Sequence, residues 1–194
     1  NLDDASEAAS KLNSLEKGLA MGVACDVRKM EDQIGLVSKT IEAFGKLDVL
    51  IANAGVGYFA SIENMDIDKW NEVIDTNLTG VFYSIKAGLN ALKKSQGYII
   101  TISSLAGANF FPRGSAYNAS KFGLTGFTQS VMLDLRNEGI KVSTIMPGSV
   151  ATHFNNHVPN DNDAWKIPPE DIGEMVMDLL KMNPRTLPSK IEVR

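Results

Sequence analysis

Apolar residues recur every three or four positions along much of the chain, which is the spacing typical of helices with one buried face. This spacing predicts helices over residues 2–15, 34–44, 68–75, 82–92 and 115–137, and a last helix that opens at Pro168. Glycine often ends a helix because it adopts the left-handed conformation easily. Several of the predicted helices are followed by one, at Gly18, Gly45, Gly97 and Gly139.

Short apolar runs alternate with the predicted helices, over residues 19–25, 49–52, 98–103, 141–146 and 191–193. Their apolar residues are consecutive, which indicates strands that are buried on both faces. Strands that alternate with helices in this way build a parallel sheet with helices on either side. The sequence therefore predicts an α/β fold, with a doubly wound parallel sheet in three αβα layers and a single domain over residues 1–194.

Composition and charge exclude several classes of partner. The chain has 194 residues and a net charge of -4, and its charged residues are scattered instead of forming the basic stripe that a nucleic acid requires. No apolar run approaches the roughly 20 residues of a membrane span, and the first residues lack the pattern of a signal peptide. We expect a cytoplasmic protein that binds neither nucleic acid nor membrane.

Metal chemistry finds little support in the sequence. Cys25 is the single cysteine, which excludes a multi-cysteine metal site. His153 and His157 are the only histidines, and they lie among asparagines and a proline in what we interpret as a solvated loop. They lack the helix and the acidic partner that a histidine metal site of this spacing needs. We therefore predict no metal site.

Tyr117 and Lys121 are four apart in the predicted helix over residues 115–137, so their side chains share one face. A nearby positive charge stabilises a phenolate, and we expect Lys121 to lower the pKa of Tyr117. Such a phenol can donate a proton to a carbonyl oxygen. Ser104 follows a predicted strand, at the end where ligands of doubly wound sheets bind, and its hydroxyl can orient the same oxygen.

These residues form an ordered set with other short motifs. The set comprises Asp26 and Val27 after the first apolar run, Asn53-Ala54-Gly55 after the second, Asn77, the pair Ser103-Ser104, Tyr117-Asn118-Ala119-Ser120-Lys121, and Pro147-Gly148-Ser149-Val150-Ala151-Thr152. Together they resemble the classical short-chain dehydrogenase/reductase family, over nearly the whole chain. The resemblance implies a Rossmann-like fold and hydride transfer with NAD or NADP as the cofactor.

The resemblance implies catalytic roles for four residues. Tyr117 is similar to the family's general acid or base, and Lys121 to the residue that lowers its pKa and holds the nicotinamide ribose. Ser104 resembles the donor that orients the substrate. Asn77 resembles the residue that holds a water between the lysine and solvent. Its local alternative is a helix kink, because asparagine is a poor helix former.

The resemblance also implies contacts with the cofactor. Asp26, beside Val27, is similar to the acid that accepts a hydrogen bond from the adenine amine; a helix N-cap is an equally good local interpretation. Other residues resemble the segment along the adenosine ribose, namely Asn53, Ala54 and Gly55. A last group resembles the contacts of the nicotinamide end, namely Tyr117, Lys121, Pro147, Gly148, Val150 and Thr152.

The family's glycine-rich turn, which cradles the pyrophosphate after the first strand, has no counterpart before Leu19. In the family's sheet, the two strands around this turn lie between the runs over residues 19–25 and 49–52. We therefore hypothesise that the native protein has an upstream segment with this first strand-helix-strand unit. The residue that distinguishes NAD from NADP normally follows the second of these strands, so both cofactors stay open.

The sequence carries few indications of the substrate or assembly. Residues 153–167 are short and polar and predict only a small lid. Candidates for an apolar side of the pocket are Val56, Phe59, Phe110 and Phe111, with packing in the core as an equally good interpretation for each aromatic. The expected substrate is a small carbonyl or alcohol. The resemblance also implies a homodimer or homotetramer that forms through the helices over residues 77–94 and 115–137.

Two other functions share parts of this pattern. A sugar-nucleotide epimerase or dehydratase also uses a tyrosine and a lysine four apart, but it needs a sizeable substrate domain, and only residues 153–194 follow Thr152. A catalytically silent dinucleotide-binding or regulatory protein has no need of the catalytic residues, all of which are retained here. We predict an active oxidoreductase and keep the silent protein as the alternative.

Overall fold

The helices and strands of the protein follow the predicted alternation. The computed structural model describes residues 2–194, so Asn1, which the predicted domain includes, lies outside the described residues. The helices are α1 Leu2–Asn13, α2 Met30–Phe44, α3 Ile67–Ile74, α4 Gly80–Ser95, α5 Ser115–Leu135 and α6 Pro169–Lys181. The strands are β1 Val49–Ala52, β2 Tyr98–Ile102, β3 Lys141–Pro147 and β4 Lys190–Val193. None of the helices described combines the length and the hydropathy that crossing a bilayer requires.

Within residues 2–194, the four strands form one parallel sheet in the order β1-β2-β3-β4. β2 and β3 are its central strands and are almost completely buried. On one face, Ile99 of β2 packs in a core with Leu92 of α4 and Leu124 of α5. On the other face, Ile100 packs in a core with Leu179 of α6. Helices cover both faces, which confirms the predicted doubly wound, three-layer αβα sheet.

The strand predicted over residues 19–25 is wrong. This segment has no regular secondary structure, and it pairs with no strand among the residues described. It packs instead on the end of α1, where the Asn13 side chain accepts a hydrogen bond from the backbone N–H of Ala20 at 2.7 Å and donates one to its carbonyl at 3.0 Å. An apolar run becomes a strand only where a neighbouring strand takes up its backbone groups, and local sequence does not supply that neighbour.

The junction between α3 and α4 is a π-helical turn over Asp75–Thr79. The two predicted helices therefore run into each other with a widened turn between them, in place of a break. Asn77 lies at the centre of this turn and its side chain is fully buried. Widened turns of this kind re-aim side chains and occur frequently at functional sites. The helical backbone is irregular at Asn77, whereas the kink interpretation itself stays a prediction.

Candidate active site

A cavity of about 850 Å³ opens at the carboxyl ends of β2 and β3. This is the end of a parallel sheet where ligands of doubly wound folds bind, because the loops that leave the strands diverge there. The cavity, called the main cavity below, brings together most of the predicted site residues: Asn53, Gly55, Ser104, Tyr117, Lys121, Pro147, Gly148, Val150 and Thr152. Residues far apart in the chain thus meet in one place.

Tyr117 lies in the first turn of α5 and faces the main cavity. Burial raises the pKa of its phenol, and a hydrogen bond shared with Ser104 lowers it by a smaller amount. Ser104 follows β2, and its hydroxyl accepts a hydrogen bond from the backbone N–H of Ala106 at 3.1 Å. It also donates weakly to the carbonyl of Pro147 at 3.5 Å. Ser104 is therefore held by two backbone segments beside the phenol.

Lys121 lies one turn further along α5 and is only 5% exposed. Its Nζ donates to the backbone carbonyl of Ile102 at 3.0 Å and lies 5.7 Å from the centre of the Tyr117 ring. Burial lowers the pKa of Lys121 to about 8, because a charged ammonium loses its hydration there. The pair meets on one helical face, as the spacing predicts.

The expectation that Lys121 lowers the pKa of Tyr117 is wrong for the arrangement seen, in which the pKa of Tyr117 is raised. The spacing indicates how near the ammonium lies to the phenol, but the net change in the pKa of Tyr117 depends on burial as well. The phenol is removed from water, which disfavours its charged form, and the ammonium is turned toward the carbonyl of Ile102. Tyr117 is therefore held in its protonated state.

Asn77 joins two parts of the site through its amide group. Its Oδ1 accepts a hydrogen bond from the backbone N–H of Val56 at 2.8 Å, and its Nδ2 donates to the carbonyl of Val56 at 2.9 Å. The same Nδ2 donates to Oγ of Ser120 at 3.0 Å, and Ser120 donates to the carbonyl of Tyr117 at 2.8 Å. Asn77 does not line the main cavity itself. It ties the loop after β1 to the turn of α5 that carries Tyr117 and Lys121.

A second cavity of about 480 Å³ contains the remaining predicted residues, Asp26, Val27 and Ala54. Both carboxylate oxygens of Asp26 accept from the guanidinium of Arg28, at 2.9 and 2.8 Å. These hydrogen bonds lower the pKa of Asp26 to about 2. The N-cap interpretation of Asp26 is wrong, because the cap position of α2 is Lys29 and carries no side-chain cap. The acid is held at the cavity wall by its ion pair.

The loop after β1 separates the two cavities. Asn53 and Gly55 line the main cavity, whereas Ala54 and Val56 line the second one. Successive residues of an extended segment point to opposite sides, which accounts for this alternation. A molecule that occupies both cavities would run past this loop, along the edge of the sheet at the carboxyl ends of its strands.

The sequence and the fold both match proteins of known family. The family model described as short chain dehydrogenase matches residues 1–163. The chain belongs to the short-chain dehydrogenase family. A trans-4-hydroxycyclohexanecarboxylate dehydrogenase of Sinomonas cyclohexanicum is 38% identical over 155 residues, which are 77% of this chain and 60% of that protein. An uncharacterized oxidoreductase of Staphylococcus saprophyticus is 31% identical over 193 residues, 97% of this chain and 80% of that protein.

A solved structure matches over the whole chain. The alcohol dehydrogenase of the archaeon Thermococcus sibiricus, in complex with 5-hydroxy-NADP, superposes with a TM-score of 0.93 at 28% identity. The match covers 100% of this chain and 82% of that one. The fold of this short-chain dehydrogenase is therefore that of a dinucleotide-dependent relative, and the sequence resemblance to the family is confirmed.

The aromatic lining of this short-chain dehydrogenase differs in part from the prediction. Phe111 lines the main cavity, and Phe59 packs edge-on against Tyr117 with 5.5 Å between ring centres. Phe110 is 86% exposed and lies outside the lining, and Val56 lines the second cavity. Phe154 was not predicted, yet it lines the main cavity and packs on Tyr117 at 5.8 Å. Its position within a polar segment gave no periodic signal.

The segment over residues 150–167, called the lid below, also contains an unpredicted ion-pair cluster. Asp163 is 7% exposed and forms ion pairs with His157 and Lys166. These contacts lower the pKa of Asp163 well below its usual range. The solvated-loop interpretation holds for exposed His153 and is wrong for half-buried His157. The Asn160 and Asp163 capping pair was the available signal, since an asparagine followed three residues later by an acid marks a helical turn.

Metal ligands do not cluster in the part of the chain that the structure describes: no group of three or more histidine, cysteine, aspartate or glutamate side chains is arranged to hold a metal ion. His157, the histidine that contacts an acid, has a lysine as its other neighbour. A cation beside the imidazole opposes binding of a second cation.

Proposed function

We propose that this protein is an NAD(P)-dependent oxidoreductase that transfers hydride between a nicotinamide and a small carbonyl or alcohol substrate. The observation that carries the proposal is the meeting of Ser104, Tyr117 and Lys121 at one wall of the main cavity. The names of its relatives support the same class of reaction. The chain spans 60% of the first of these relatives, so the activity of the whole protein is part of the proposal.

The residues around the loop after β1 fit a dinucleotide. The predicted nicotinamide contacts line the main cavity and the predicted adenine contacts line the second, as the two ends of one cofactor would require. At Gly55, an added Cβ would lie 3.3 Å from Oδ1 of Asn77 and 3.8 Å from Nζ of Lys121. A side chain at this position would therefore crowd the Asn77 amide and the Lys121 ammonium, which the glycine leaves unobstructed. When bound, the cofactor supplies or accepts the hydride; both NAD and NADP remain in the proposal.

The side chains divide the proton chemistry among them. Ser104 orients the substrate oxygen, and Tyr117 donates the proton to it during reduction or removes it during oxidation. A phenol is protonated at neutral pH, and burial, which raises the pKa of Tyr117, keeps it in that form; both directions of the reaction remain in the proposal. Lys121 holds the ribose hydroxyls beside the phenol. Its pKa of about 8 lets it exchange protons near neutral pH.

Asn77 serves this chemistry in two ways in our proposal. Its three hydrogen bonds hold the loop after β1 against α5. An amide oxygen has two lone pairs, and Oδ1 uses one of them for Val56. The other lone pair is available to a water that connects Lys121 with solvent, the relay that the family resemblance implies.

Two further proposals concern the rest of the native protein. Among the described residues, one edge of β1 is free, Ile51 is 46% exposed, and the apolar segment over residues 19–25 pairs with no strand; this favours additional strands between them. This supports an upstream strand-helix-strand unit. Exposed Phe82 of α4, with Phe122 and Leu133 of α5, supports a homodimer or homotetramer through these helices. The cytoplasmic location stays a prediction.

The test of the proposed function is the Tyr117→Phe variant, assayed with NADH and NADPH on a panel of aldehydes and ketones. The substitution removes only the proton-donating hydroxyl. We expect turnover to fall by roughly 10²- to 10⁴-fold while the Kd for the dinucleotide changes by less than about threefold. Tyr83→Phe, a change on α4 outside both cavities, is the matched control. Undetectable turnover in the wild type, with normal dinucleotide binding, would instead support the silent binding protein.

A further inference from the structure

The ionisable side chains that line the main cavity are basic, and two of them pair with acids outside the lining, Lys166 with Asp163 and Arg194 with Glu192. Lys121, Lys166 and Arg194 line it, together with His157, whereas the described residues that line it include no aspartate or glutamate. The whole chain has the opposite balance, with 23 acidic and 19 basic residues. A cavity with cations and no carboxylate raises the local concentration of anions and stabilises them when bound.

We propose that the substrate carries a carboxylate and that Lys166 binds it. This inference rests on the proposed function, because it names the class of carbonyl or alcohol that the same site accepts. Two other cations line the cavity, but one lies beside the catalytic phenol and the other at the surface. Lys121 donates to the carbonyl of Ile102 beside Tyr117, and Arg194 pairs with Glu192 and is largely exposed. Lys166 is the cavity cation that is both mostly buried and remote in sequence from the catalytic residues.

Asp163 prepares Lys166 for this role. Asp163 is 7% exposed and is not among the residues that line the cavity, so a ligand there would contact Lys166 and not the acid. Its Oδ1 pairs with Lys166, and its Oδ2 lies 2.6 Å from Nε2 of His157 and accepts from the backbone N–H of Asn160 at 3.0 Å. Holding the ammonium in one place lowers the entropy lost when a ligand binds it.

Lys166 retains hydrogen-bonding capacity after these contacts. An ammonium has three N–H donors, and one is used by Asp163. Nε2 of His157 lies 3.3 Å from Nζ, but it must carry its own hydrogen to donate to the Asp163 carboxylate, so it does not accept from the lysine. Within residues 2–194, Lys166 therefore keeps two donors for an anion in the cavity.

The remainder of the lining indicates the body of the substrate. Phe111 and Phe154 contribute apolar surface between the lid and Tyr117. A ligand whose carbonyl is oriented by Ser104 and Tyr117, and whose carboxylate reaches Lys166, would lay an apolar ring or chain on these rings. The expected class is an oxo acid, or the hydroxy acid that its reduction produces, with the two functional groups separated by an apolar spacer.

The experiment compares acids with their neutral carboxamides on wild type and Lys166→Gln. The probes are 4-oxocyclohexanecarboxylate, 4-oxopentanoate and 4-acetylbenzoate, each paired with its carboxamide. Calorimetry gives the Kd of each probe and of the dinucleotide, and kcat/KM is measured where turnover occurs. The matched control is Lys181→Gln, on the exposed side of α6. We expect at least one acid to bind wild type more tightly than its carboxamide, by on the order of tenfold or more.

In Lys166→Gln, the Kd of that acid should rise by roughly ten- to a hundredfold, whereas the Kd values of the carboxamide and the dinucleotide should stay within about twofold. The proposal is overturned if no acid is preferred over its carboxamide, or if Lys166→Gln weakens the carboxamide or the dinucleotide as much as the acid. Equal kcat/KM values for carboxamides and acids would contradict the carboxylate site but agree with the proposed reaction. Selective binding of an acid with no turnover would support the site and reject the reaction.

Discussion

The main cavity has two walls that are built in different ways. One wall comes from β2, β3 and α5, and its polar groups are tied to buried backbone: Oγ of Ser103 and Oγ1 of Thr125 lie 2.9 Å apart, and Thr125 donates to the carbonyl of Lys121 at 2.9 Å. The opposite wall is the lid, most of whose residues are exposed. A single bridge between Val150 and Ile167 closes its base, and the ion pairs of Asp163 hold its middle.

This difference indicates a division of tasks. Proton transfer requires donors fixed to within a fraction of an ångström, which buried strands and a long helix supply. Recognition of a substrate tolerates a less rigid support, and loops accept changes of sequence more readily than the sheet does. Phe154 connects the walls, because its ring packs on Tyr117 and stands over Gly57, where an added Cβ would lie 2.9 Å from it.

The largest expected effect comes from Lys121→Met, in the wall formed by β2, β3 and α5. Burial of the charged ammonium costs the wild type about 3 kcal/mol at pH 7, the free energy that corresponds to a pKa of about 8 in the folded state against about 10.4 in the unfolded one. At pH 7, the free energy of unfolding of the variant should therefore exceed that of the wild type by about 1–3 kcal/mol, because the lost hydrogen bond to Ile102 offsets part of the gain. The variant should then unfold at a higher urea concentration. Its turnover should fall by roughly a hundredfold or more.

The same change should alter the pH dependence of stability. Between pH 8 and pH 10 the folded wild type loses its Lys121 proton before the unfolded chain does, so the free energy of unfolding rises with pH in this window. The rise contributed by Lys121 should be absent in Lys121→Met. Urea unfolding at pH 7 and pH 9.5 measures it, with Lys39→Met on the exposed face of α2 as the control. A variant less stable than wild type at pH 7 contradicts the burial cost.

The next largest effect comes from Asn77→Ala, which tests whether the stability of the wall formed by β2, β3 and α5 depends on the buried amide of Asn77. The change leaves the N–H and carbonyl of Val56 without their partner. We expect the free energy of unfolding to fall by about 3 kcal/mol, whereas Ser120→Ala, which keeps both contacts to Val56, should lose about 1 kcal/mol. Asn71→Ala on exposed α3 is the control. Equal losses from Asn77→Ala and Ser120→Ala would show that Val56 does not depend on Asn77.

The smallest effect on global stability should come from Asp163→Asn in the lid. The neutral amide loses the ion pairs to His157 and Lys166, so hydrogen exchange of lid amides should accelerate by roughly tenfold while the melting temperature shifts by only a few degrees. Because its pKa is lowered in the folded state, Asp163 contributes its stabilisation above about pH 4 and loses it as the pH falls through the folded value. If amides of the whole domain exchange faster by the same factor as the lid amides, the two walls unfold together and not independently.

The sequence by itself determined most of the helices and strands and which side chains share a helical face. The run over Val49–Ala52 and the continuous burial of β2 and β3 follow from local hydrophobicity, and the four-residue spacing of Tyr117 and Lys121 on α5 follows from helical geometry. These features depend on neighbours in the chain, and neighbours are what a sequence displays.

Tertiary structure alone decided the features that depend on residues distant in sequence. Residues 19–25 form no strand in the part of the chain described, because pairing requires a partner strand that the segment does not itself provide. Burial, which is a property of the whole fold, raises the pKa of Tyr117 against the expectation drawn from its nearest charge. Phe154 lies in a polar segment and packs on Tyr117, which is 37 positions away in the sequence, so no periodic pattern records this contact.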